Sequence, residues 1–231
     1  MRQRTFQFVA LAAFAAVACC VLASSAGALT LTARYGARYL EPPCCGGDAL
    51  WGTSASINVA SIAADGANCI LFRSDAENLN QDLIQAGIVR CGDTSTGLAG
   101  TCSRNHTIVK FVETHLQGQP YHCVEHGAAA TGVDHAAVVF APSGSTWYSF
   151  LDGVQYETNT FSQRIIMESG EHAGSDSCSS WTARATFAAG VSYAWQRYVQ
   201  SSGWKTIQSS YNSPGCWSIT GGPPGAFTIT H

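Results

Sequence analysis

The sequence predicts an all-β protein, an antiparallel sandwich or barrel carrying disulfides, on three observations. Polar and apolar residues alternate with the period of a half-buried strand: Ser54, Ser56 and Asn58 interleave with Ala55, Ile57 and Val59. Asp152-Gly153 joins the strand-like runs Trp147-Tyr148-Ser149-Phe150-Leu151 and Val154-Gln155-Tyr156. An Asp-Gly pair there is a type I′ hairpin turn, since both central residues need positive φ. Third, no stretch sustains a helical apolar period, and only 12% of the residues are charged in a chain rich in Ser, Thr and Gly.

Taken in order, the chain opens on a secretory signal. Arg2 and Arg4 precede an almost wholly apolar stretch, 6–22, and Ala26-Gly27-Ala28 supplies the small residues of a cleavage site. Cleavage is expected after Ala28, so 1–28 leaves and secretion is predicted, with no membrane attachment afterwards. Few residues then precede Trp51, and no pro-domain is expected. Residues 29–50 read as an irregular lead-in, because Pro42-Pro43 and Gly46-Gly47 interrupt regular structure. One sandwich domain is expected over 51–231. Its strand candidates are 51–59, 68–73, 82–90, 106–114 and 135–141, then the hairpin, then 163–168, 181–187, 191–199 and 226–230. A helical turn over 75–83 competes with the strand reading there. Pro223-Pro224-Gly225 turns the chain before its last strand.

Ten cysteines occur, and Cys19 and Cys20 depart with the signal. The remaining eight (Cys44, Cys45, Cys69, Cys91, Cys102, Cys123, Cys178 and Cys216) imply a disulfide framework in an exported chain. Their connectivity as a whole is not deducible from sequence, though Cys91 and Cys102, flanking a Gly/Thr/Ser loop, are expected to form a local pair. The cysteines are spread and lack a CxxC, which argues against zinc. A net charge of −3 without a basic stripe argues against a nucleic-acid partner.

Few residues suit chemistry. Gln85 stands inside the apolar run Leu83-Ile84-Gln85-Ala86-Gly87-Ile88-Val89, so its amide must find partners or line a wet cleft. Glu168-Ser169-Gly170-Glu171-His172 follows the run Ile165-Ile166-Met167, at the expected end of a strand, where a solvated loop is the bland alternative. Asp48, Asp65, Asp93, Asp152 and Asp176 read as turn formers. Glu113 and Glu157 read as solvent-facing strand residues. His122 and His126 lie four apart but without the helix that an HExxH site needs, and read as surface histidines. Asn105-His106-Thr107 is a glycosylation sequon. Aromatics crowd the second half, among them Trp147, Tyr148, Trp195, Trp204 and Trp217. They suit core and strand pairing, or else a groove that stacks ligand rings.

Three stretches together resemble a known family. Trp51-Gly52-Thr53-Ser54-Ala55-Ser56-Ile57-Asn58-Val59 and Ile84-Gln85-Ala86-Gly87 are similar to successive strand motifs of the neprosin family. Ser169-Gly170-Glu171-His172 is similar to its late Gly-Gly-Glu stretch. The glutamic peptidases called eqolisins carry a glutamine and a glutamate at these places. The resemblance implies a two-sheet, concanavalin-like jelly roll and peptide-bond hydrolysis by a secreted endopeptidase without metal or cofactor. Glu171 would be the general base and acid on a water, and Gln85 would steady the oxyanion. Glu168 is the alternative base. An offset of three along a strand turns Glu168 and Glu171 to opposite faces, so only one of them reaches Gln85. Gln85 departs from neprosin, where that position is a glutamate, and agrees with the eqolisin pair. The substrate would be a protein or peptide. The competing reading is a non-catalytic secreted sandwich that binds sugar or protein, with its aromatics as the contact surface.

Overall fold

The computed structural model describes residues 31–40, 50–64, 66–142, 144–162, 165–173, 182–187, 196–199, 203–206, 210–212, 218–221 and 226–230. Among them are sixteen strands and no helix. One sheet contains β1 (Leu31–Leu40), β3 (Cys69–Glu77), β4 (Leu83–Cys91), β5 (Val109–His115), β6 (His122–Ala128), β10 (Ile165–Ala173) and β14 (Ser210–Asn212). Its spatial order is β14-β1-β10-β3-β4-β5-β6. The other contains β2 (Leu50–Ala63), β7 (Asp134–Phe140), β8 (Thr146–Leu151), β9 (Val154–Thr160), β11 (Thr182–Phe187), β15 (Ser218–Gly221) and β16 (Phe227–Thr230). Its order is β15-β16-β11-β2-β7-β8-β9, and β12 (Gln196–Val199) pairs with β2 and with β13 (Gly203–Thr206). Neighbouring strands are antiparallel. The fold is therefore the expected two-sheet antiparallel β-sandwich.

The core lies between the sheets and follows the period of two. Ala55, Ile57 and Val59 of β2 face Phe72, Ile84, Ala86 and Ile88 of the first sheet, with Phe187, Phe227 and Ile229 closing the same cluster. Phe187 stacks on Phe227 at 4.5 Å and meets Phe72 edge-on at 6.3 Å. Gly170 makes room there: a Cβ on it would lie 3.1 Å from both the Phe72 ring and Ile229. Polar bonds cross the interior as well. Thr53 Oγ1 donates to Glu168 Oε1 at 2.8 Å, and Ser74 Oγ donates to the Ala137 carbonyl at 3.0 Å. Asn159 Nδ2 donates to the Leu83 and His115 carbonyls at 2.9 and 3.1 Å. The Asp152-Gly153 turn has the anticipated positive φ values, 50° and 82°. Asp152 also accepts from Lys110 Nζ at 3.2 Å and lies 3.1 Å from His135 Nδ1, which ties the turn to the first sheet.

Four local expectations are corrected. Residues 31–40, assigned to the irregular lead-in, form β1, whose partners β10 and β14 supply the ladder bonds that local sequence does not advertise. The helical turn over 75–83 is absent. β3 runs to Glu77, Asn78 Oδ1 accepts from the Asn80 and Asp82 amides, and β4 begins at Leu83. Residues 168–172 are no loop but lie within β10. Cys91 does not bond Cys102: the disulfides among the described residues are Cys69–Cys91 and Cys102–Cys123. The β3–β4 register sets Cys69 directly opposite Cys91, which decides the pairing over the shorter sequence gap.

Both disulfides stiffen a second apolar cluster, with Leu71, Val89, Val109 and Phe111 on the face of the first sheet turned away from the core. Leu98 packs on it from the loop between β4 and β5. In that loop the Ser103 amide donates to the Glu125 carboxylate, and Ser103 Oγ donates to the Thr107 carbonyl at 2.7 Å. No described helix is long and apolar enough to cross a membrane. The signal segment 1–28, Cys44, Cys45, Cys178, Cys216, Asp48, Asp65, Asp176, Trp195, Trp217 and the Pro223-Pro224-Gly225 turn lie outside the described residues.

Candidate active site

On β3 the residues Leu71, Arg73 and Asp75 share one face, and Phe72, Ser74 and Ala76 share the other. Phe72 and Ala76 belong to the interior cluster and Leu71 to the outer one, so Arg73 and Asp75 sit on the outer face. The register carries that face across the sheet. Asp75 is opposite Gln85 of β4, and Gln85 is opposite Glu113 of β5. One step along, Arg73 lies between Ser169 of β10 and Gly87 of β4. A further step along, Glu171 lies opposite Leu71. A band of polar side chains thus crosses the outer face next to the disulfide-stiffened cluster.

Arg73 is the hub of this band. Its Nη2 is 2.9 Å from Asp75 Oδ2 and also pairs with the Glu171 carboxylate, and its Nε donates to Ser169 Oγ at 3.4 Å. Gly87 lets it lie there. A Cβ at that position would stand 2.1 Å from the Phe72 carbonyl oxygen and 2.8 Å from Arg73 Cα. Gln85 Nε2 donates to Glu113 Oε2, while Gln85 Oε1 is buried without a hydrogen-bond partner. Exposure runs from 0% at Asp75 through 1% at Arg73, 2% at Gln85 and 4% at Glu113 to 6% at Glu171. Charges that deep need an opposite charge beside them, which Arg73 provides for Asp75 and Glu171.

Glu171 and Gln85 share the outer face but are not cross-strand neighbours. They are two strands and four residues apart, about 10 Å across the sheet and about 13 Å along it at the backbone. The Arg73–Asp75 pair occupies the ground between them. Glu168 faces the other way, wholly buried between the sheets and bonded to Thr53, so the outer band excludes it. Glu113, expected to face solvent, is buried against Gln85 instead, because the outer face of β5 is itself covered.

Sequence reasoning missed Arg73, Asp75 and Glu113. The available signal was a charged residue in step with buried apolar ones: Arg73 and Asp75 in phase with Leu71, Glu113 in phase with Phe111. Of the paired histidines, His122 is exposed, and His126 stacks on Tyr156 with ring centroids 3.5 Å apart. Burial holds the His126 pKa below its ordinary 6.5, against an opposing pull from Glu157 and with a small further push from Lys110. His115, on the outer face two residues beyond Glu113, stacks on Tyr121 at 3.9 Å. Asn105 of the sequon is exposed. Among the described residues no group of three or more His, Cys, Asp or Glu is set to hold a metal ion.

The chain shares the fold of scytalido-glutamic peptidase. It aligns with that enzyme bound to a transition-state analogue inhibitor at a TM-score of 0.54 and 10% identity, over 87% of this chain and 98% of that one. A second structure, with a peptide-based transition-state analogue, gives a TM-score of 0.52 and 12% identity over the same shares. SCP-B, a member of the eqolisin family of peptidases in complex with the tripeptide Ala-Ile-His, aligns at a TM-score of 0.47 and 12% identity, over 87% of this chain and 98% of that one. At these identities the likeness is one of fold. No family model matches the chain. No curated protein matches it either.

Proposed function

We propose that the chain is a secreted glutamic-type endopeptidase that hydrolyses peptide bonds in protein or peptide substrates. Glu171 is the general base that takes a proton from water and the acid that returns it to the leaving amine. Gln85 is the partner amide, two strands away, that engages the substrate backbone beyond the scissile bond. One observation carries the reading: Gln85 and Glu171 lie on one face of one sheet, with the Arg73–Asp75 pair between them, in a sandwich shared with a glutamic peptidase. The motif likeness to neprosin supports the same chemistry, and the two disulfides suit export.

The test is digestion of a mixed protein substrate from about pH 2 to about pH 8, with a metal chelator and a serine-protease inhibitor present. Glu171→Gln keeps the side-chain shape and removes the base, so turnover falls roughly 10²-fold or more. Gln85→Ala lowers kcat/KM through weaker substrate binding. Full activity in both variants defeats the glutamic mechanism. If Glu168→Gln abolishes activity while Glu171→Gln keeps it, Glu168 is the base.

A second reading, a non-catalytic secreted sandwich that binds sugar or protein, is favoured by the burial of the band, whose members are 0–6% exposed. That reading requires no turnover at any pH in the same assay.

A further inference from the structure

We propose that Arg73, rather than Gln85, receives the oxyanion formed when a substrate peptide carbonyl is attacked. The inference rests on the reading of Glu171 as the base and assigns that site its electrophilic partner. A base and an oxyanion donor must flank one carbonyl carbon. Each lies about 3 Å from the atom it serves, so the two functional groups lie within roughly 6 Å of each other. The Arg73 guanidinium contacts the Glu171 carboxylate and meets that condition. The Gln85 backbone is two strands and four residues away, and its Nε2 is engaged by Glu113, on the far side from β3.

Arg73 is also held as an oxyanion donor should be. Asp75 anchors it at 2.9 Å, Ser169 takes its Nε at 3.4 Å, and Gly87 leaves no side chain between it and the sheet. A rigid fork with five N–H donors can keep its contact with Asp75 and still present a donor to a carbonyl oxygen.

The step is balanced. Glu171 takes one proton from water, and the water oxygen bonds to the carbonyl carbon. The π pair moves onto the carbonyl oxygen, where Arg73 holds it without giving up a proton. On collapse that pair re-forms C=O, the C–N bond breaks, and the leaving nitrogen takes the proton from Glu171. Gln85 then serves binding of the substrate backbone.

The experiment uses the full mature protein with Arg73→Lys and the double variant Arg73→Met/Asp75→Asn. The double variant removes the guanidinium together with the charge of the carboxylate that anchors it. Circular dichroism checks that each is folded. Steady-state kinetics on a cleaved peptide are paired with calorimetric binding of that peptide and of its phosphinate analogue, a tetrahedral anion. The double variant is expected to lose kcat by roughly 10²–10³-fold with KM changed less than about threefold, and to lose phosphinate affinity by a similar factor while peptide affinity holds. Arg73→Lys, which keeps the charge but not the fork, should lose roughly tenfold in kcat. Gln85→Ala should show its loss mainly in KM. The inference is overturned if the double variant keeps kcat within about threefold, or if phosphinate and peptide lose affinity equally. Activity that needs Glu171 but ignores Arg73 removes this inference alone. A wild-type protein with neither turnover nor phosphinate affinity removes the peptidase reading and this inference with it.

Discussion

Replacing Thr53 by Val tests whether the two sheets are tied through Glu168. Thr53 Oγ1 donates to Glu168 Oε1 at 2.8 Å, with both residues 0% exposed and 115 residues apart in the chain. Val keeps the branched shape at χ1 and removes only the hydroxyl donor. Removing the donor of a buried hydrogen bond costs about 1–3 kcal/mol, and no water can replace the donor at a fully buried side chain. For a chain of this size about 1 kcal/mol moves Tm by roughly 2–4 °C, so the expected loss is roughly 2–12 °C. Scanning calorimetry of Thr53→Val measures it. Glu168→Gln is the control: its amide oxygen still accepts from Thr53, so its loss should be the smaller. A Thr53→Val shift under about 1 °C would refute the claim that this bond holds the sheets together.

The remaining predictions concern backbone packing and acid. Gly87→Ala would set a Cβ 2.1 Å from the Phe72 carbonyl oxygen, a backbone atom that moves only if β3 and β4 part; a loss of about 1–3 kcal/mol is expected in a denaturant melt. His126 has a folded pKa held below 6.5 by burial against Tyr156, so its protonation favours the unfolded chain. Its contribution is complete above pH 6.5 and is lost as pH falls from there towards the folded value, so His126→Phe, which keeps the ring stack, should flatten the decline in Tm over that window. For Asp152, burial alone would raise the pKa, but hydrogen bonds from His135, Lys110 and the Ala136 amide outweigh it and hold the carboxyl below 3.8. That stability is present above 3.8 and is lost as pH falls through the folded pKa, so Asp152→Asn, which keeps a good type I′ turn residue, should be less stable at neutral pH yet lose less of its stability on acidification.

The sandwich was legible where one side of a strand is buried in the interior and the other is polar. β2 is the clear case, since Ala55, Ile57 and Val59 are core while Ser56 and Asn58 are only half-buried. The Asp152-Gly153 turn was legible because its conformation is a local property of two residues. β1 was not, because what makes 31–40 a strand is its pairing with β10 and β14. The cysteine pairing failed for the same reason: hairpin register, not spacing, brings Cys69 to Cys91.

The candidate site was half legible, and the cause is physical. Alternation identifies a solvent face only when one face of the sheet is wet. Here β3 and β4 are buried at nearly every position, because the interior core covers one face and the disulfide-held cluster covers part of the other. On such strands a charge cannot be a solvated residue. Glu113 shares a face with Phe111, so burial of Phe111 already removes the solvent-facing reading of Glu113. By the same reasoning Arg73 and Asp75, in phase with the fully buried Leu71, must find charged partners inside the fold, and the register supplies them on β3 and β10. Gln85 and Glu171 were visible singly, as polar residues in or after apolar runs. Only the alignment of β10, β3, β4 and β5 makes the two carboxylates, the guanidinium and the Gln85–Glu113 pair one band, and it makes Arg73, not Gln85, the immediate neighbour of Glu171.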